Sequence, residues 1–192
     1  MENLDNRVRY TKTVLQQALL KLLQTKHIDK ITIKELCGEA GVNRGTFYLH
    51  YATPNDLLME IEQQFIDENM AQFNPYFHEG YETSYIATLF AGILKNRELC
   101  KIIMGKNGNP RFIERIQKMI RPRIIDGWCK EFPRYRREDL DYVYDFVFVG
   151  SMRLILNWID DDKGLTTEEL ANRLDRLGHH CHLAIPEFIR TK

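Results

Sequence analysis

The chain lacks most of what would mark a secreted protein, a membrane protein or an enzyme. Its 192 residues include only four cysteines, Cys37, Cys100, Cys129 and Cys181, and no C-x-x-C pair. A disulfide framework or zinc ribbon is therefore not expected, and reduced thiols in a cytoplasmic protein are the simple reading. Net charge is absent too: 27 Lys and Arg balance 27 Asp and Glu, so nothing pulls the whole molecule toward nucleic acid or an anionic membrane. The opening MENLDNRVRY has no apolar stretch of the kind a secretory signal needs. The longest apolar runs are a few residues, far short of the roughly 20 that span a bilayer. No G-x-S-x-G, glycine-rich phosphate loop or H-E-x-x-H occurs, and the carboxylates at 160–162 sit in a turn. No catalytic constellation and no cofactor are expected. What remains is an ordinary globular balance, 44% apolar and 28% charged, in a chain long enough to bury a core without metal or disulfides.

Charge is uneven along the chain. Residues 1–52 carry eight basic side chains (Arg7, Arg9, Lys12, Lys21, Lys26, Lys30, Lys34, Arg44) against five acidic ones, a local excess of +3. The other 140 residues carry the opposite excess. An anionic partner would meet the first quarter of the chain.

The apolar pattern is helical throughout, and the expected class is all-α with about nine helices. Val8, Val14, Leu15, Ala18, Leu19, Leu22 and Leu23 are spaced for one face of a first helix over residues 8–24. Thr32-Ile33-Lys34-Glu35 is a capping box opening a short helix that Gly41 should end with positive φ. Asn43 is a good N-cap for another short helix through Tyr51. Thr53-Pro54 opens a longer helix to about Phe73. Further helices are expected at about 81–95, 97–104, 111–131 with a kink or break at Pro122, 137–160 and, after Thr166, through Cys181. A division into domains 1–65 and 66–192 follows.

Residues 32–51 have the grammar of a helix-turn-helix. In such units the second helix enters the DNA major groove while the first crosses the backbone. Here the second helix offers Asn43, Arg44, Thr46 and Tyr48, ends near His50, and has Gly45 where backbone could approach phosphate. Arg44 is the natural bidentate partner of guanine or of phosphate. The run ITIKELCGEAGVNRGTFYLHYATPNDLLMEI closely resembles the N-terminal domain of the tetracycline-repressor (TetR) family of bacterial regulators, over about residues 8–65. The resemblance implies a homodimer, a three-helix DNA-reading head, and a helical body holding the dimer interface and an effector pocket. It implies phosphate contacts from Thr32 and Ile33, and a recognition helix of Asn43, Arg44, Gly45, Thr46, Tyr48 and His50. One departure stands out. Many members place a phosphate-binding lysine where this chain has Pro54, and Arg7, Arg9 or Lys12 could supply that contact instead.

The body is less diagnostic. GSMRLILNWIDDDKGLTTEELANRL resembles a TetR subgroup frequent in Gram-positive bacteria. The helices at 137–160 and 167–183 are the obvious pair for a four-helix dimer bundle, with Gly150, Leu154, Trp158, Leu170, Leu174 and Leu177 as interface candidates. Tyr85, Phe90, Trp128, Tyr142 and Phe146 either line a pocket for a small apolar effector or pack as core and interface. Asp145 and Arg153 either fix a ligand or pair with charges across the interface. His179, His180 and His182 fall short of a zinc ligand set, so no metal is expected. The leading expectation is a repressor that binds a palindromic operator as a homodimer, its heads presented about one DNA turn or a multiple apart, with release by a small effector. The alternative is a coregulator that uses the same fold to bind another protein.

Overall fold

The computed structural model describes residues 2–71 and 95–185; among them are eight α-helices, one 3-10 turn and no strand. The chain forms two compact units, Met1–Asp67 with Ile102–Phe112, and Glu68–Lys101 with Ile113–Lys192. A contiguous division at residue 65 therefore misses one segment: 102–112 belongs with the head. No helix among the described residues is long and apolar enough to cross a membrane.

In the first unit, α1 (Glu2–Leu23) buries Leu15, Ala18, Leu19 and Leu23, a spacing of three or four residues that puts them on one face. A 3-10 turn (Ile28–Lys30) tucks Ile28 and Ile31 beneath it. Helix α2 (Ile33–Ala40) starts at the expected capping box and stops at Gly41, whose φ of 67° is the left-handed conformation glycine adopts without Cβ strain. Helix α3 (Arg44–Tyr48) is shorter than the spacing suggests. The N–H groups of His50 and Tyr51 both turn back to the Phe47 carbonyl, which closes the helix and swings the Tyr51 ring inward. Helix α4 (Pro54–Ala71) opens with a second reciprocal cap, Thr53 with Asp56, and Pro54 stands at its first position, where no N–H is needed. Leu36, Phe47, Leu57, Leu58, Ile103 and Phe112 are fully buried in this unit.

In the second unit, α5 (Arg97–Ile103, its last two residues in the head unit) and α6 (Phe112–Glu131, its first in the head unit) are followed by α7 (Arg137–Asp160) and α8 (Thr167–Leu183). The expected break at Pro122 does not occur. Pro122 and Lys118, whose carbonyl loses its helical donor, are both exposed, so water can satisfy that carbonyl and the helix runs on. Helix α8 begins at a third capping box, Thr166 with Glu169. Helix α7 buries Leu140, Tyr144, Val147, Phe148, Ser151, Met152, Ile155, Trp158 and Ile159, and packs on α8. Its C-terminus is held by Arg97, which donates to Asp162 at 2.7 Å and to the carbonyls of Trp158 and Ile159 while stacking over the Trp158 ring at 4.5 Å. The helix expected at 81–95 lies, but for its last residue, outside the described residues.

Candidate nucleic-acid interface

The head is built so that α3 is rigid at its base and open on its outer side. Phe47 is the anchor: it is fully buried, edge-on to Tyr48 at 5.8 Å and close to Tyr51 at 5.8 Å. Asn43 caps the helix. Its Oδ1 accepts from the Thr46 N–H at 2.7 Å and from the Thr46 hydroxyl at 3.0 Å. These two side chains therefore hold the helix start, and only the Asn43 amide N–H₂ is left to face a ligand. Gly45 is exposed, and a Cβ there would stand 3.2 Å from Asn43 Oδ1, against the cap. Arg44 is exposed and Tyr48 is 59% exposed, while His50 is half-buried beside Tyr51. Cys37, one helix back, is buried; burial pushes its thiol up and the Arg44 charge pulls it part of the way down.

At the start of α2, Thr32 is exposed but already engaged. Its Oγ accepts from the Glu35 N–H, and its own N–H and hydroxyl donate to Glu35 Oε2 at 3.0 and 2.8 Å. Lys26 pairs with the other Glu35 oxygen. That lysine bond first, then the Thr32 bonds, lowers the Glu35 carboxyl to about 2. A phosphate here would meet the first-turn N–H groups of Ile33 and Lys34, which have no helical acceptor. The half-buried Ile33 would then contribute backbone rather than side chain.

The basic residues of the head sort into two groups. Lys21 pairs with Glu39, Lys26 with Glu35 and Lys12 with Glu60. Lys12 is thus not an open cation replacing the lysine absent at Pro54. Its ammonium lies 3.0 Å from Glu60 Oε2 and 5.7 Å over the Tyr51 ring, and the Tyr51 hydroxyl donates to Glu60 Oε1 at 3.0 Å. This triad ties α1, the end of α3 and α4 together. Burial, then the Glu60 bond, holds the Tyr51 phenol protonated. Arg7, Arg9, Lys30, Lys34 and Arg44 stand outside the ion pairs among the described residues, and Arg7, Lys34 and Arg44 are exposed. Two of the outward residues escaped the sequence reading. Lys34 sits one position after Ile33 in the first turn of α2. Leu49 is 79% exposed just past α3, where an apolar side chain has no structural reason to be. Exposure of Leu49 is not visible in sequence, because a helix running through Tyr51 would hide where the chain turns.

The body residues regroup. Trp128 is buried. Tyr142 and Phe146, expected in an effector pocket, are 77% and 73% exposed among the described residues. They lie four apart on the outer side of α7, and Val149, Gly150 and Leu154 continue that exposed face. The inward aromatics are instead Tyr144 and Phe148, stacked at 5.7 Å. Among the interface candidates, Gly150, Leu154 and Leu177 are exposed as expected. Trp158, Leu170 and Leu174 are not: they are buried in the protomer's own core, and the Trp158 indole N–H is spent on the Leu165 carbonyl at 2.8 Å. Asp145 pairs with Gln117 and Arg121, and Arg153 is exposed, so neither is a buried ligand anchor. Tyr85 and Phe90 lie outside the described residues.

A capped helix-turn-helix on a small all-α head, followed by a larger helical unit, defines a helix-turn-helix regulator of transcription. Comparison with known proteins gives the family. The family model TetR_C_8, described as the transcriptional regulator C-terminal region, matches residues 83–180. The chain belongs to the TetR family of transcriptional regulators. An uncharacterized HTH-type transcriptional regulator of Bacillus subtilis (strain 168), YvdT, is 29% identical over 62 residues, and the match spans about a third of that relative's length, 32%. Two solved structures share the fold. A TetR regulator from Streptococcus agalactiae 2603V has a TM-score of 0.61 at 21% identity, covering 91% of this chain and 96% of that one. NalD, the secondary repressor of the MexAB-OprM multidrug efflux pump in Pseudomonas aeruginosa, has a TM-score of 0.63 at 15% identity, covering 91% and 97%.

Proposed function

We propose that the chain is a cytoplasmic homodimeric repressor that reads a palindromic operator in double-stranded DNA with α3 and is released by a small apolar effector. The observation that carries the DNA reading is the division of labour on α3. Phe47, Asn43 and Thr46 build the helix, which leaves Arg44, Tyr48 and Leu49 turned outward and exposed. Arg44 is suited to guanine or phosphate, Tyr48 to phosphate, and Leu49 to a thymine methyl or sugar. Gly45 lets the backbone approach, His50 at the end of the helix and Arg7 of α1 supply further phosphate contacts, and Thr32 and Ile33 mark the α2 N-terminus as an anion site.

The second element is the outer face of α7. Tyr142, Phe146, Val149 and Leu154 form an exposed apolar set around the small Gly150 on α7, with Arg153 and Asn157 as polar neighbours, and Leu177 of α8 is exposed as well. A face of this kind on a monomer marks an interaction surface, and a second copy of the same face is the occupant a two-fold regulator requires. The repressor sense draws on the structural relative NalD, itself a repressor.

Selection of binding sites from a random duplex pool tests the whole reading. The expected product is an inverted repeat with half-sites about 10–10.5 base pairs apart, or a multiple. Enrichment of no motif, or recovery of a stoichiometric protein partner in place of DNA, would replace this reading with the coregulator one.

A further inference from the structure

The reading helix is too short to hold itself. Helix α3 has five residues, and isolated helices below roughly 12–15 residues are marginal in water. Three holds keep it in shape. Asn43 and Thr46 cap its start. Phe47 is buried beneath it. Its far end is held by Tyr51, just past the helix. The N–H groups of His50 and Tyr51 share the Phe47 carbonyl, each at 3.0 Å. The segment 48–50, with the outward Tyr48 and Leu49, therefore runs between two buried anchors, Phe47 and Tyr51.

Tyr51 is fixed in turn from α4 and α1. Its hydroxyl donates to Glu60 Oε1 at 3.0 Å, and the Lys12 ammonium lies 5.7 Å from its ring centroid. Glu60 is the hub of this group. Its Oε2 takes Lys12 at 3.0 Å, and the Gln16 and Gln64 amides approach its Oε1 at 3.5 Å. Gln16 also donates to Gln64 Oε1 at 3.2 Å. Donors on both oxygens orient the half-buried carboxylate, so the Tyr51 hydroxyl meets an acceptor already in place. All of these residues lie in the single compact unit that contains Met1–Asp67. A carboxylate repels phosphate and Tyr51 is buried, so neither is suited to act on DNA directly.

We propose that Glu60 is a positioning residue for operator recognition: acting through Tyr51, it fixes the end of α3 and with it the direction in which Tyr48 and Leu49 are offered to DNA. Lys12 acts in the same way, as the counter-charge of Glu60 and not as a phosphate contact. The inference rests on α3 as the DNA-reading helix. Such pre-organisation favours the operator over other duplexes, because base contacts need a set geometry and the charge-driven part of binding does not.

The experiment is fluorescence anisotropy of the full chain, over a salt series, with the selected operator duplex and a scrambled one. It compares the wild type with Tyr51→Phe, Glu60→Ala, the two combined, and Lys12→Met. Tyr51→Phe keeps the buried ring and removes only the hydroxyl, so one variant leaves the packing untouched. Each single change should weaken operator binding about tenfold and leave scrambled binding within about twofold. The salt slope should not change. The combined variant should discriminate no worse than Glu60→Ala, because the two side chains act as one unit. A merely structural role would lower Tm and leave the operator-to-scrambled ratio of the folded protein where it was. A ratio within about twofold of wild type in Tyr51→Phe and Glu60→Ala, or additive losses in the combined variant, overturns the positioning role. A Lys12→Met variant that weakens both duplexes equally, with a salt slope smaller by about 1, overturns the indirect role of Lys12. A wild type that binds the two duplexes alike overturns the DNA-reading assignment, and the positioning role with it.

Discussion

Replacing Phe146 with alanine removes the ring that the outer face of α7 offers most plainly to a second copy. An aromatic side chain has roughly 150–250 Å² to bury. With Phe146 73% exposed, about 150 Å² is available to a partner. At about 25 cal/mol per Å² that is about 3–4 kcal/mol, of which alanine keeps a small part, leaving a loss of about 2–3 kcal/mol per copy. A two-fold interface carries the change twice, so the area-based loss is about 5 kcal/mol, or more than a thousandfold in the dimer Kd. Interfaces return only part of such figures, because ordering and desolvation oppose them. At least thirtyfold weaker association, about 2 kcal/mol, is the expected outcome. Sedimentation velocity over a concentration series reads it directly. The same ring is exposed in the protomer, so the variant monomer should unfold within about 0.5 kcal/mol of the wild-type monomer. A dimer Kd within twofold of wild type, or a loss of helix content in place of a loss of association, would refute the argument.

Other expectations follow from single features. The Glu35 carboxyl lies at about 2 in the folded chain against an ordinary 4.5, so its contribution to stability is complete above about pH 5 and drains as pH falls through 4.5 toward 2. The gap in Tm between the wild type and Glu35→Gln should therefore be widest near neutral pH and vanish near pH 2; a gap that does not change with pH would contradict this. Gly41→Ala forces a side chain into the left-handed conformation at φ 67°, and chemical denaturation should show a loss of about 1–2 kcal/mol. Burial pushes the Cys100 thiol up to about 12, and Cys37 is also buried, whereas Cys129 and Cys181 are partly exposed. A thiol reagent at pH 8 should modify Cys129 and Cys181 in the native protein and reach Cys37 and Cys100 only on unfolding.

What could be read ahead of the structure was local. The Thr32–Glu35 box, the Asn43 cap and the glycine turn at 41 all form as spaced, because each is settled by residues three or four apart. Long-range pairing left no such trace. Nothing near Lys12 in the sequence announces Glu60, 48 residues on, so a residue expected at DNA turns out to hold α1 to α4. Nor does a helix apolar on several sides say which side faces out. Tyr142 and Tyr144 are two residues apart, which on a helix is far enough to put one in solvent and the other in the core. The assignment of 102–112 to the head is likewise carried by tertiary contacts such as those of Ile103, Asn107, Asn109 and Phe112.

The central claim is that α3 lies in a DNA groove with Arg44 reading it. Fluorescence anisotropy with the selected operator and a scrambled duplex, over a salt series, tests it for the wild type and Arg44→Ala. Operator binding that is tighter than scrambled and weakens steeply with salt, with Arg44→Ala closing the gap by about 1–3 kcal/mol, is the predicted result. Equal affinity for the two duplexes, or an Arg44→Ala variant that discriminates as well as the wild type, would contradict it.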